Sequence, residues 1–187
     1  MMANGAGRQR AASAVAAARS RVAPGAVVST GFCGALDPSY RIGDVFVAES
    51  LRMDEERVPV QAPQTSRPYA HGVLVSVDRV IATVEEKQAL RAAGAAAVEM
   101  EAAGVLPLVR EWGLPLYCIR TVTDRAEEGF LLDLNAARLP DGHISTLRLV
   151  ASALKRPAML IPELVRLRNN SAAAAESLGD FLADCRF

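Results

Sequence analysis

Two carboxylates stand inside an apolar run. Residues 95–105 read AAAVEMEAAGV, with Glu99 and Glu101 separated only by Met100. Burying an unpaired charge is costly, so each glutamate in such a setting needs a partner. If a helix begins near Met100, Glu101 lies in its first turn, where the positive end of the macrodipole favours it. It also falls three or four residues from Val98 and Val105, beside the apolar stripe. Two readings stay open at this point. Glu101 is either a helix N-terminal carboxylate bonded to backbone amides or a carboxylate that accepts hydrogen bonds from substrate hydroxyls.

Two further segments carry chemistry. In IRTVTDRAEE, residues 119–128, Asp124 ends a β-type run and precedes a possible helix. It could be an N-cap, for which Asp is a preferred residue, or a functional acid. Arg120 is a charge within the same run and is expected to pair with a carboxylate. In STGFCGAL, residues 29–36, Gly31 and Gly34 permit tight turns and close approach of backbone to a ligand, with Cys33 between them. A loop under steric constraint alone is the plainer alternative. Cys33, Asp124 and His143 follow the chain order of an α/β-hydrolase nucleophile elbow. Against that reading, Ala35 replaces the final glycine, and Asp37-Pro38 breaks the segment before another strand.

The elements that must hold these residues alternate. Residues 8–22 read as a helix on alanine content, ended by Pro24 and Gly25. Residues 26–30 read as a buried strand, 31–44 as a Gly-rich loop and 45–50 as a second strand. The polar, proline-bearing stretch 52–70 reads as a loop. A strand over 72–82 precedes a short helix over 83–94, closed by Gly94. Residues 96–100 look extended and 101–113 helical, with Pro107 a possible interruption. Residues 115–123 form the most strand-like segment, and the last third reads as mainly helical, with Ser171 as the N-cap of a helix over 171–185. Alternating strands and helices imply one α/β domain over 1–187 with a mostly parallel sheet. In such sheets ligands bind beyond the carboxyl ends of strands, where the unusual residues lie.

Composition narrows the partners. With 21 basic and 21 acidic residues the formal net charge is zero, which gives no support for nucleic acid or an anionic membrane. No apolar stretch reaches the length of a membrane span, and the N-terminus lacks the apolar core of a signal peptide. The three cysteines, Cys33, Cys118 and Cys185, are dispersed and lack metal-ligand spacing, so neither a metal nor a cofactor is expected. A reduced, cytoplasmic setting fits them best.

Taken together, STGFCGALDPSYRIGDVFVA, VEMEAAGV and IRTVTDRAEE, in this order, resemble the purine/uridine phosphorylase superfamily. The likeness covers roughly residues 5–185 and is greatest to its nucleosidase branch, which contains methylthioadenosine/adenosylhomocysteine nucleosidases and hopanoid- or futalosine-type enzymes. The resemblance implies a three-layer αβα domain with a central mixed, mostly parallel sheet. It also implies cleavage of the N-glycosidic bond of a purine nucleoside. Asp124 would be the acid that protonates the departing base. Glu101 would grip the ribose hydroxyls, with Met100 packed against the sugar. Arg120 and Thr123 would orient the acid, and Glu99 would be a wall residue whose side chain is replaceable. Val80 and Ile81 would contact the base, and Cys33 and Gly34 would line the floor.

Four departures shape the expectation. Ser29 stands where family phosphorylases carry an arginine, and Phe32 replaces a small or hydroxyl residue. Both favour water over phosphate as nucleophile, although Arg8 could supply a cation for phosphate. Val80 stands where the nucleosidases often carry an aromatic residue. The chain also resembles an N-terminally shortened member, beginning where the family has its first Gly-rich turn. The early glutamate that activates water in the nucleosidases has no counterpart, since the first acidic residue is Asp37. Weak or no hydrolysis is therefore expected of a chain of this length, and nucleoside binding without catalysis is the alternative. A homodimer is the expected assembly.

Overall fold

The computed structural model describes residues 7–139, 145–154 and 156–187. The Ala-rich segment forms α1, Arg8–Arg19, and Ala11 and Val15 press it onto the main core. The β-branched run that follows starts β1, Val27–Ala35. The loop predicted from Gly31 onward begins only after Ala35. Strand β6, Leu116–Asp124, lies parallel to β1 from Val27↔Leu116 to Gly34↔Asp124, with a register shift between Cys33 and Gly34. A third strand takes the other edge of β1 at Gly34 and Ala35. Neighbours on both sides override the poor strand preference of glycine.

Two more boundaries differ from the sequence reading. Strand β2, Val45–Met53, turns back through Asp54 and Glu55 into β3, Glu56–Pro59, so part of the predicted 52–70 loop is a hairpin. Asp54 has φ 50°, a left-handed conformation that Asp tolerates better than most residues. Strand β4, Ala70–Ser76, stops short of the predicted Ala82, and the chain then leaves the sheet.

Helix α2, Val84–Ala92, is specified locally. The Thr83 hydroxyl accepts from the Glu86 amide while the Glu86 carboxylate accepts from the Thr83 amide, a capping box. Gly94, at φ 86°, follows its last turn. Strand β5, Ala97–Glu99, leads into α3, Ala102–Glu111. This helix continues through Pro107. One backbone bond is lost there, but burial of Val105, Leu106 and Val109 holds the segment. Helices α4, Thr146–Ala153, and α5, Pro157–Asp184, complete the chain. Ser171 lies inside α5 and does not cap a helix. The true start is at Pro157, which suits a first helical position because its missing N–H would be unpaired there anyway.

The sheet order is β3-β2-β4-β5-β1-β6, and β2 also pairs with β6, so the sheet closes on itself. It is mixed. The β1–β6, β2–β4 and β4–β5 ladders are parallel, whereas β1–β5, β2–β3 and β2–β6 are antiparallel. Alternation along β2 and β6 divides the core into layers. Phe46, Ala48, Cys118 and Val122 join α3, while Val45, Val47 and Ile119 join Phe181 of α5. The result is helix, sheet, helix. Antiparallel pairing of β5 with β1 sets Val98 opposite Gly34 and so brings Glu99 and Met100 to the end of the β1–β6 ladder.

Candidate active site

At that junction lies a cavity of about 220 Å³. Among the sequence-predicted residues, Cys33, Gly34, Val80, Ile81, Glu99, Met100, Glu101, Thr123 and Asp124 all line it. Arg120 does not. Phe32, Arg79, Val98 and Phe130 complete the wall. A larger cleft of about 850 Å³ shares Arg79 and Ile81 with it. That cleft is rich in charge, but Arg8 pairs with Asp78 and Arg79 with Glu86. The smaller cavity holds the candidate acids Asp124 and Glu101.

Asp124 closes β6 and lies across the ladder from Gly34. It is not a helix cap, because an irregular segment follows it. Its Oδ2 is 2.6 Å from the Lys87 Nζ, and its Oδ1 is 3.1 Å from the Thr123 hydroxyl. Burial pushes the acid above the ordinary aspartate range. Lys87 and Thr123 pull the other way without cancelling that effect. A carboxyl disposed to hold a proton in a closed pocket suits general acid work.

Lys87 was not among the residues singled out in the sequence. It comes from α2 and is 1% exposed, which is rare for lysine unless it is paired. A signal existed: Val84, Lys87 and Leu90 share one helical stripe, so the lysine sits on the apolar face. Its partner, 37 residues away, is visible only in the fold.

Glu99 and Arg120 form a second buried pair, at 2.6 Å, with their side chains 0% and 1% exposed. The sequence reading placed Arg120 beside Asp124 as an orienting group. Instead Arg120 spans from Glu99 to the Ser29 carbonyl and hydroxyl, tying β6 to β5 and β1. Glu99 also accepts from the amides of Glu101 and Ala102, supplying the cap that α3 otherwise lacks. It is therefore more than a replaceable wall. Burial raises its pKa, but Arg120, Ser76 and the backbone bonds outweigh this and leave it below the ordinary glutamate range.

Glu101 occupies the N-cap position of α3, with helical backbone and no cap bond from its side chain to the helix. Its carboxylate accepts from the Gly7 amide at 3.0 Å and the Met100 amide at 3.3 Å. Burial, then the charge on Glu99, raise its pKa. Such a group gains from any donor that approaches, such as a sugar hydroxyl. Val80 has both backbone groups bonded to the Asn135 carboxamide, at 2.9 Å each, so it offers the cavity its side chain.

The nucleophile-elbow reading fails on geometry. Cys33 lies within β1 rather than at a strand-to-helix turn, and burial and the nearby Asp124 raise its thiol far above the usual range. His143 lies outside the described residues.

Residues 2–64 and 60–155 match the family profile of the phosphorylase superfamily. The chain belongs to this superfamily. Its match with 5'-methylthioadenosine/S-adenosylhomocysteine nucleosidase from Staphylococcus aureus (strain JH9) is 28% identical, covering 66% of this chain and 67% of the relative. The fold is similar to that of the Helicobacter pylori nucleosidase of the same name, solved with a pyrrolopyrimidine-bearing pyrrolidinol. That likeness has a TM-score of 0.66 and 17% identity, over 96% of this chain and 75% of that one. The S-adenosylhomocysteine nucleosidase of Streptococcus pyogenes, solved with 5-methylthiotubericidin, gives a TM-score of 0.57 and 19% identity, over 87% and 76% of the two chains. Among the described residues no helix is long and apolar enough to cross a membrane.

Proposed function

We propose that this chain cleaves the N-glycosidic bond of a purine nucleoside, with water rather than phosphate as the nucleophile. The observation that carries the reading is the meeting, in one cavity, of a buried Asp124 with Glu101 and Met100. Asp124 gives its proton to the departing base. Glu101 accepts hydrogen bonds from the ribose hydroxyls, Met100 packs against the sugar, and Val80 and Ile81 bear on the base. Thr123 orients the acid through its hydroxyl.

Water is favoured because the position for a phosphate-binding arginine is Ser29, whose hydroxyl already accepts from Arg120. Arg8, the other candidate cation, lines the larger cleft and faces Asp78. The nucleosidase relatives point the same way. The proposal takes residues 1–187 as one domain, acting in the cytoplasm as a homodimer. The test is incubation with methylthioadenosine, adenosylhomocysteine and inosine, with and without phosphate. Free base and reducing sugar in both buffers support hydrolysis. Release that requires phosphate overturns it.

A second reading is nucleoside binding without turnover. It is favoured by the carboxylates on the cavity: Glu99 is consumed by Arg120, which leaves Glu101 and Asp124 among the described residues. If both serve the roles above, no carboxylate among the described lining residues is left to activate water. Calorimetric binding of a nucleoside with no release of base would establish this reading instead.

A further inference from the structure

The Lys87 ammonium lies where it would act on Asp124, and its protonation state follows from its partners. Nζ donates to Asp124 Oδ2 at 2.6 Å, to the Arg125 carbonyl at 2.7 Å and to the Glu128 carbonyl at 2.9 Å. A neutral amine has two N–H groups and a lone pair, whereas an ammonium has three N–H groups. Three acceptor oxygens therefore require the ammonium, because a lone pair aimed at a carbonyl or carboxylate oxygen would be repulsive. The ring of Phe130, 5.5 Å from Nζ, favours the same charge.

The two oxygens of Asp124 are consequently unlike. Oδ2 faces a cation, which disfavours a proton on that oxygen. Among the described residues the side-chain partner of Oδ1 is the Thr123 hydroxyl, at 3.1 Å. That hydroxyl is also 3.3 Å from the Cys33 carbonyl, which can take its single proton and leave an oxygen lone pair for Oδ1–H. The arrangement suits a carboxyl protonated on one named oxygen.

We propose that Lys87 is the positioning residue of this acid: it holds Oδ2, confines the transferable proton to Oδ1, and stabilises the carboxylate left when that proton departs. This rests on the reading of Asp124 as the proton donor. In the step, the Oδ1–H bond breaks and an N–H bond forms on the base. The electron pair of the glycosidic C–N bond goes to the base, water bonds to the anomeric carbon and gives its proton to solvent, and Asp124 is reprotonated from solvent, so the net reaction consumes one water. Lys87 keeps all three of its protons, so its effect is electrostatic and greatest in the transition state, where negative charge develops on Asp124.

Several other groups face the acid. They are Glu128, from the segment after β6, and Cys33 of β1, while Glu99 and Glu101 line the same cavity and Arg120 of β6 turns away to Glu99 and Ser29. Lys87 is the cation in direct contact with Asp124.

The experiment compares the wild-type chain with Lys87→Met and Lys87→Arg. It reads kcat and KM against pH and, separately, the pH titration of the ¹³C-labelled Asp124 carboxyl. In Lys87→Met, kcat is expected to fall roughly 100-fold or more, with KM changed by less than about 3-fold. Loss of the ammonium raises the pKa of the carboxyl. The pH above which activity declines, and the carboxyl titration with it, should therefore move up by about one pH unit or more. Lys87→Arg should restore part of both. Should Lys87→Met fail to fold, Lys87→Gln, which keeps a polar group beside the carboxyl but no charge, replaces it and carries both the kinetics and the titration. An Asp124 titration that is the same in wild type and variant reduces Lys87 to a structural prop and overturns the proposal. Absence of turnover by the wild-type chain overturns the functional reading instead, and the carboxyl titration then decides the role of Lys87 by itself.

Discussion

Gly34 and Asp124 face one another across the β1–β6 ladder, and a Cβ on residue 34 would stand 2.8 Å from Asp124 Oδ2. The missing side chain is the space in which the acid sits. Gly34 is not among the residues with positive φ, so its own backbone does not demand glycine.

It follows that Gly34→Ala should disturb the acid more than the fold. The added methyl must displace the carboxylate from Lys87 or push the two strands apart. Turnover is expected to fall by about 100-fold or more, since small misplacement of a catalytic group is enough for that. The thermal midpoint should drop by only a few degrees. Parallel kinetics and melting curves check this, and near-wild-type turnover would show that Asp124 need not occupy this position.

The Glu99–Arg120 pair should be worth far more broken than replaced. Glu99→Gln leaves a buried guanidinium without its counter-charge and weakens the cap on α3. A loss of about 3–5 kcal/mol is expected by denaturant titration. The double variant Glu99→Gln/Arg120→Met should recover a good part of that loss. The pH dependence has a definite sign. Because the folded-state pKa of Glu99 is depressed, its contribution is present above the unfolded glutamate value and is lost as pH falls through the folded one. Acid unfolding should therefore have a component below the ordinary glutamate range that is absent from Glu99→Gln.

Glu101 should behave in the opposite sense. Its folded-state pKa is raised, so the native protein holds this proton more tightly than the unfolded chain. Its favourable contribution is present below the unfolded glutamate value and is lost as pH rises through the folded one. Glu101→Gln removes that loss while keeping an acceptor for the Gly7 amide. At neutral pH the variant is expected to equal or exceed wild type in stability. Nucleoside affinity should fall about 10-fold or more as charge-assisted bonds to the sugar disappear. Stability and binding measured on the same sample decide it. A variant that binds nucleoside as well as wild type would remove Glu101 from the ribose site.

What was legible in the sequence was mostly local. The alanine content of α1, the glycine after α2 and the β-branched run of β6 are short-range signals, and the structure follows them. The three motifs in order also resembled the phosphorylase superfamily, and that resemblance, rather than any local pattern, named most of the residues that line the cavity. The glycines misled for a physical reason. Gly31 and Gly34 are turn formers in isolation, but pairing with β6, and for Gly34 also with β5, holds them extended, and only the fold shows that Gly34 makes room for a carboxylate. Charge pairing was equally hidden. Arg120 was expected to need an acid, yet Glu99 and Asp124 were both available in the chain. Tertiary packing chose Glu99 for it and gave Asp124 to Lys87. Local sequence can state that a buried charge needs a partner. Which partner it receives depends on which strands and helices converge, and that is a property of the assembled sheet.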